Sequence, residues 1–443
     1  MTEGSISKKI ILFALPVFLG NLCQQFYNVA DSLVVGNVLG KEALASVSSA
    51  GSLIFMLIGF VQGLFLGAGV IISQYYGAKR DADVSSITHT TVTFAFVAGL
   101  ILSVIGICFT PTFLRLMDTP ADVIEGSVIY FRVYFMGSIF STVYNACCSV
   151  FQAVGDSRHP LYYLVTSALV NIALDILFVR FFGMGIAGAA FATVLSQAIS
   201  AALSFGKLLK VAGPHKIILK KLGINFSLLK KILKMGIPTG VQNSVIGFAN
   251  VIVQSNINAF GSDAMAGCGT YFKLEGFAFL PITSFCAALT TFIGQNLGAR
   301  QVKRAKQGAR FGIVSGVLLA QFVGIILFVF SPQLVYLFNQ DEKVIAIGTL
   351  QARTECLFYF LLSASHCLAA ILRGAGKTRV PMFVMLACWC VIRITYLHFA
   401  VPVWPRINTI CMAYPITWGI STVIFIIYYV KAKWAENFEK TVA

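Results

Sequence analysis

The apolar positions of this chain fall into long unbroken runs separated by short polar breaks. Reading between the breaks gives runs over 10–35, 51–75, 91–111, 127–152, 161–181 and 186–208, then 235–259, 276–295, 311–330, 346–371, 381–401 and 407–430. A helix needs roughly 20 mostly apolar residues to cross the hydrocarbon core of a bilayer, so each run predicts a membrane helix. The runs are continuous and do not alternate, which excludes the strands of a membrane β-barrel. The predicted fold is therefore an all-α integral membrane protein with about 12 transmembrane helices. No signal-peptide cleavage pattern follows the first run, so it is read as a retained helix.

The polar breaks repeat. Leu15-Pro16 recurs as Ile237-Pro238, the stretch from Ser73 to Lys79 recurs from Gly294 to Arg300, and the stretch from Ala153 to Pro160 recurs from Gly374 to Pro381. The first pair is 222 residues apart and the other two are 221 apart. Six spans lie in each half, so the two copies run in the same direction, as a parallel repeat. The expected organisation is two six-helix lobes, 1–206 and 235–443, joined by a basic cytoplasmic linker over 207–234. The repeat also disposes of a tempting motif. Gly374-Ala375-Gly376-Lys377-Thr378 resembles the end of a phosphate-binding loop, but the pattern needs glycine where Ile371 stands and a strand before it. The twin loop Gly155-Asp156-Ser157 lacks the lysine. Both read as tight turns, and no ATPase or other enzyme is inferred.

Composition agrees with the pattern. Hydrophobic residues make up 58% of the 443, charged residues only 11%, and the mean hydropathy is +0.83. A soluble domain carries about 25% charged residues. The net charge of +16 would suggest nucleic acid in a soluble protein, but 24 of the 33 bases fall in alternate breaks if the N-terminus is inside. Excess Lys and Arg marks cytoplasmic loops. The expectation is a multi-pass protein of the plasma (inner) membrane with both termini cytoplasmic, surrounded by lipid, monomeric and without nucleic acid. The eleven cysteines are scattered without metal-binding spacing and read as small buried hydrophobes.

What remains is a small set of acids. A charge at the bilayer centre costs at least about 2.5–3.5 kcal/mol on insertion scales. Three acids are expected at membrane depth: Asp31, Asp175 and Glu275. Asp175 shares a helical face with Asn171, and Ala189 and Thr193 are also four apart on the next span. A carboxylate, an amide, a hydroxyl and the Ala189 carbonyl are hard oxygen donors. They suit Na⁺ or an exchangeable proton, although a hydrogen-bonded pair stapling two helices would look the same. Asp31 ends a polar stripe of Asn21, Gln24 and Asn28, which points to a wet cavity or a neighbouring helix. The seventh span has a neutral stripe, Asn243, Asn250, Gln254 and Asn258. Tyr134, Asn145, Glu275 and His366 are further candidates for the wall of a substrate cavity. Glu275 near Lys273 and His366 also read as snorkelling and packed side chains. Pro16, fifteen residues before Asp31, is a candidate hinge.

Taken together, these features resemble the MATE family, the multidrug and toxic compound extrusion transporters. The resemblance spans the chain and rests on Ala14-Leu15-Pro16 through Asp31, on Gln74-Tyr75-Tyr76-Gly77-Ala78 with Gln295-Asn296-Leu297-Gly298-Ala299, on Gln152-Ala153-Val154-Gly155-Asp156, and above all on Asn171 and Asp175 followed by Thr193. The pattern is similar to the DinF-like branch. It implies a coupling site for H⁺ or Na⁺ at Asp31, Asn171, Asp175, Thr193 and the Ala189 carbonyl. It also implies export of small organic, amphipathic cations in exchange for that ion by alternating access, with no other cofactor. No acid stands near Ile246, where the NorM-like branch has one on the seventh span. A flippase or exporter of lipid-linked or other anionic metabolites from the same superfamily is the alternative.

Overall fold

In the computed structural model, which describes residues 1–116 and 121–436, helices account for most of the described residues and no strand is found among them. Lys440, counted above among the inside bases, and the end of the second lobe at 443 lie outside them. In the first half, α1 runs Ile6–Leu39, α2 Lys41–Gly77, α3 Asp81–Leu116, α4 Ala121–Met136, α5 Ser138–Val154, α6 Arg158–Asp175 and α7 Gly185–Lys210. In the second, α8 runs Phe226–Asn258, α9 Ser262–Gly298, α10 Val302–Tyr336, α11 Glu342–Glu355, α12 Tyr359–Gly374, α13 Arg379–Met385, α14 Arg393–Val403 and α15 Ile407–Lys431. Ten helical segments among the described residues are long and apolar enough to cross a membrane, and α4 with α5, bent by 50°, would make an eleventh. The seventh expected span, inside α8, is not among them. Its amide stripe and the lysines that precede it supply the reason.

The repeat is written in the backbone. Left-handed residues occur in matched pairs 221 apart: Gly40 and Gly261 (φ 89° and 92°), Lys79 and Arg300 (56° and 58°), and Gly155 and Gly376 (96° and 78°). Each ends or precedes a long helix, where a positive φ lets the chain turn while the last carbonyls find donors. Gly155 and Gly376 are the tight turns expected of the two phosphate-loop look-alikes, and Gly376 follows a helix, not a strand. Lys79 and Arg300 hold the same conformation with a Cβ. They place a cation at a helix C-terminus, which the helix dipole favours.

Two compact units emerge. One comprises Leu19–Ile237, the other Met1–Phe18 with Pro238–Ala443. The boundaries fall within two residues of Pro16 and Pro238, inside α1 and α8. Proline removes one hydrogen bond from a helix, so the repeated Pro marks the place where packing changes from one unit to the other. In the unit ending at Ile237, α2 to α7 pack around Phe131, Tyr134, Phe151 and a row of small residues. In the other, α9, α10, α11, α12 and α15 enclose Tyr271, Phe292, Tyr359 and Trp418. Leu100, Leu169, Phe322 and Phe399 point outward, as side chains facing lipid do.

Small residues set the closest approaches. A Cβ on Gly67 of α2 would lie 2.4 Å from the Gly236 nitrogen, and one on Gly236 would lie 2.6 Å from the Leu64 carbonyl oxygen. Here two helix backbones touch, as small-residue interfaces in membranes allow. Replacing Gly67 by valine should separate α2 from the start of α8 and destabilise the protein by about 1–3 kcal/mol. The check is thermal melting of the purified protein. An unchanged melting temperature would mean that these helices do not meet backbone to backbone.

Candidate functional site

Four helices of the Leu19–Ile237 unit each contribute side chains spaced one helical turn apart, which puts them on one face. The pairs are Tyr27 and Asp31 on α1, Tyr130 and Tyr134 on α4, Asn171 and Asp175 on α6, and Thr193 and Gln197 on α7. Asp175 is fully buried and Asp31 is 8% exposed, so both carboxyl groups are inside protein. They lie within hydrogen-bonding range of each other. A hydrogen bond between two carboxyl groups needs a proton on one of them.

The surrounding bonds fix this pair. With the Asn171 amide in the orientation that satisfies both its ends, Nδ2 donates to Asp175 Oδ2 at 2.7 Å and Oδ1 accepts from the Thr193 backbone N–H at 3.2 Å. The Thr193 hydroxyl donates to the Ala189 carbonyl at 3.1 Å and lies 3.4 Å from the Tyr27 hydroxyl. Gln197 Nε2 donates to the Tyr134 hydroxyl at 3.4 Å. Tyr130 stacks on Tyr134 with ring centroids 6.4 Å apart, and Val179 and Ala189 close the apolar side. Directly after Asp175 the α-helix gives way to a π-helical segment, Ile176–Phe181. Such segments insert a residue, turn the following side chains and recur at functional sites.

Two acceptors stay open in this shell. Asp31 Oδ1 and Asp175 Oδ1 are buried without a partner among the described residues. Together with the Thr193 hydroxyl and the Ala189 carbonyl they form a hard-oxygen donor set with two carboxylates, which suits a proton or a small monovalent cation, while the Asn171 oxygen is turned to the Thr193 N–H. No group of three or more His, Cys, Asp or Glu that could hold a metal ion is found among the described residues.

The structure thus brings together Asp31, Asn171, Asp175, Thr193, Ala189 and Tyr134. The other expected residues stand apart. Gln24 is exposed, and Asn28, also exposed, donates to Gln25 Oε1 at 3.4 Å. Asn145 turns its amide back onto the Ser141 carbonyl of its own helix. In the other unit, Asn250 is exposed, Gln254 donates to Asn258 at 2.8 Å, and His366 packs edge-on against Phe279 and Trp389. Glu275 is half-buried.

The count of three acids at membrane depth needs correction, because Glu355 is fully buried within the tenth span. Its position nine residues into the run 346–371 was the available signal. Tyr27, Tyr130 and Gln197 were also missed, although each is one turn from a residue already singled out. Among the described residues the cysteines are free, and most of them are buried, as small hydrophobes are.

Replacing Asn171 by alanine removes the donor to Asp175 Oδ2 in a site closed to water. A buried acceptor left without its donor costs about 1–3 kcal/mol, and the melting temperature should fall accordingly. Asn171→Ala protein as stable as wild type would show that the amide does not hold the carboxyl group.

The model of the MatE family matches residues 16–177 and again 238–397, once per repeat. The chain is 30% identical over 439 residues to the probable multidrug resistance protein YoeA of Bacillus subtilis, covering 97% of this chain and 94% of the relative. It is 28% identical over 403 residues to the probable multidrug resistance protein NorM of Thermotoga maritima, covering 87% and 83%. A crystal structure of a MATE protein in complex with MaL6 superposes with a TM-score of 0.91 at 21% identity, covering 99% of this chain and 98% of the other. A family match in both halves, a relative aligned from end to end and the same helical fold lead to one conclusion: the chain belongs to the MATE family of membrane transporters.

Proposed function

We propose that this protein is a secondary active antiporter that exports small organic, amphipathic cations in exchange for H⁺ or Na⁺. The observation that carries the reading is the buried Asp31–Asp175 pair with its two open oxygens. One exchangeable positive charge entering that shell changes its electrostatics more than any other single event there. Asn171, Thr193 and the Ala189 carbonyl would hold the ion beside the two carboxyl groups, as in the DinF-like branch. For the ion to drive transport, it must bind more tightly to one arrangement of the lobes than to the other. Alternating access of two lobes, with Pro16 as a hinge in α1, supplies those arrangements. Substrate contact within the Leu19–Ile237 unit is assigned to Gln24, Asn28, Tyr134 and Asn145. Tyr134 offers an aromatic face of the kind that attracts organic cations. Multidrug resistance proteins among the relatives support a small-molecule substrate.

The membrane is the plasma (inner) membrane, with both termini in the cytoplasm and the protein acting as a monomer. Met1 supports this orientation. Its amine donates to Gln295 Oε1 at 2.6 Å and its carbonyl accepts from Arg304 Nη2 at 3.2 Å, which puts it beside the basic stretch from Arg300 to Arg310 at the start of α10.

The test is efflux of a fluorescent organic cation such as ethidium from proteoliposomes with an imposed ΔpH or ΔNa⁺. Wild type should respond to one of the gradients. Asp31→Asn and Asp175→Asn should lose at least about ten-fold of the gradient-driven rate, since 1.4 kcal/mol of lost coupling is already a factor of ten. Equal rates with and without gradients, or for wild type and both variants, would refute the coupling site.

A further inference from the structure

The stretch that joins α7 to α8 lies wholly in the Leu19–Ile237 unit and is held there by its backbone. The Ile217 N–H donates to the Leu208 carbonyl at 2.9 Å, the Ile218 N–H to His89 Nε2 at 2.9 Å and the Asn225 N–H to Thr90 Oγ1 at 3.3 Å. His89 Nδ1 donates to the Ser85 carbonyl at 2.7 Å, which leaves Nε2 as the acceptor that Ile218 needs. Asn225 also starts α8, its Oδ1 accepting from the N–H groups of Ser227 and Leu228 at 3.0 and 3.2 Å. His215 and Ile217 are buried. Other side chains of the stretch face the opposite way: Leu219 is 59% exposed, Phe226 is 79% exposed, and Ile218 is exposed as well.

Their neighbours are bases. From 207 to 234 the chain carries eight lysines and no aspartate or glutamate. Lys231 is engaged, its Nζ donating to the Tyr75 hydroxyl at 3.1 Å. Lys216, Lys220, Lys221 and Lys230 are exposed, and none of them meets a carboxylate within 4.0 Å among the described residues. The bias of bases that orients a membrane protein needs only the lysines. It gives no reason for a fixed backbone to hold Ile218, Leu219 and Phe226 out beside them.

The depth of the stretch supplies a reason. On α3 every side chain from Ile87 to Val92 is buried, and large exposed apolar side chains begin at Phe96 and Val97. His89 stands seven residues before Phe96, which is about 10 Å along a helix at about 1.5 Å per residue. The headgroup layer outside the hydrocarbon core is about 5–8 Å thick on each side. The anchored stretch therefore lies along α3 where headgroups begin, not out in bulk water. We propose that it is a binding surface for anionic phospholipid: Ile218, Leu219 and Phe226 enter the edge of the acyl layer, and the lysines around them take headgroup phosphates. Apolar and basic side chains side by side hold a segment at a membrane interface. Lysines near the surface favour anionic over neutral lipid. The surface depends neither on the coupling site nor on the direction of transport.

The experiment adds one tryptophan to the surface, by Leu219→Trp or by Phe226→Trp, in full-length protein held in nanodiscs of equal parts phosphatidylglycerol and phosphatidylcholine. In one set of discs only the phosphatidylglycerol carries brominated acyl chains, and in the other only the phosphatidylcholine does. The emission of protein without the added tryptophan is subtracted. Bromine quenches tryptophan at contact, so the two values show which lipid lies against the surface. Brominated phosphatidylglycerol should quench at least about two-fold more strongly than brominated phosphatidylcholine. Replacing Lys216, Lys220, Lys221 and Lys230 by glutamine should bring the two values together. Where that variant does not fold, salt at about 1 M, which cuts the screening length to about 3 Å, should have the same effect on the protein with its lysines. Equal quenching by the two lipids at low salt overturns the proposal, because the surface then makes no choice of headgroup. Quenching by neither also overturns it, and is the outcome for a surface that meets water, an acidic protein or a nucleic acid instead of the bilayer. A preference for phosphatidylglycerol that survives both the glutamine replacements and the salt overturns the role of the lysines.

Discussion

A carboxyl group surrounded by helices and lipid must meet a proton, a cation or a fixed base, because water is not there to solvate it. Much of the local construction follows from that requirement. In the Leu19–Ile237 unit two carboxyl groups face each other and Asn171 donates to one of them. In the other unit Glu355 takes donors from Gln351 and Tyr271. The first arrangement leaves one oxygen of each carboxyl group without a partner among the described residues, while the second gives both oxygens of its carboxyl group a donor. The two copies of the repeat thus bury their carboxyl groups among different partners.

The helices are interrupted where these charges sit. Asp175 ends α6 at a π-helical segment, Glu355 ends α11 at a single tight turn, and Arg393 starts α14 after another π-helical segment. Irregular backbone at membrane depth is tolerated where protein surrounds it, since only there can the freed polar groups find partners. A regular helix presents side chains every 100° or so, and an inserted or tightened turn re-aims them. The breaks are thus a means of pointing a charged group at partners that the regular spacing would miss.

The sequence disclosed most of the architecture because its signals are local. Long apolar runs marked the helices, and the same breaks recurring 221 residues apart marked the repeat, down to the paired left-handed turns at Lys79 and Arg300. The core of the site was legible for the same reason: Asn171 with Asp175 and Ala189 with Thr193 are one-turn pairs. What was hidden depends on which face of a helix looks inward. The polar stripe on α1 suggested that Gln24, Asn28 and Asp31 act together. Only Asp31 is buried, and its neighbour one turn away is Tyr27, an aromatic residue that a polar-stripe search passes over. Glu355 was overlooked because Gln351 and Arg353 make its surroundings look like the end of a span. No periodicity within α11 reports that Tyr271 of α9 lies against it.

The seams inside α1 and α8 have a topological consequence. The two units exchange chain twice, near Pro16 and near Pro238, and neither crossing lies in the loop between α7 and α8. A single cut in that loop would yield a front fragment that carries the first eighteen residues of the other unit, and a rear fragment whose opening turns belong with the front. Each fragment would lack part of one unit and carry part of the other. The seams of the packed units are therefore offset from the seam of the internal duplication, so each unit includes a short stretch of chain from the other copy of the repeat.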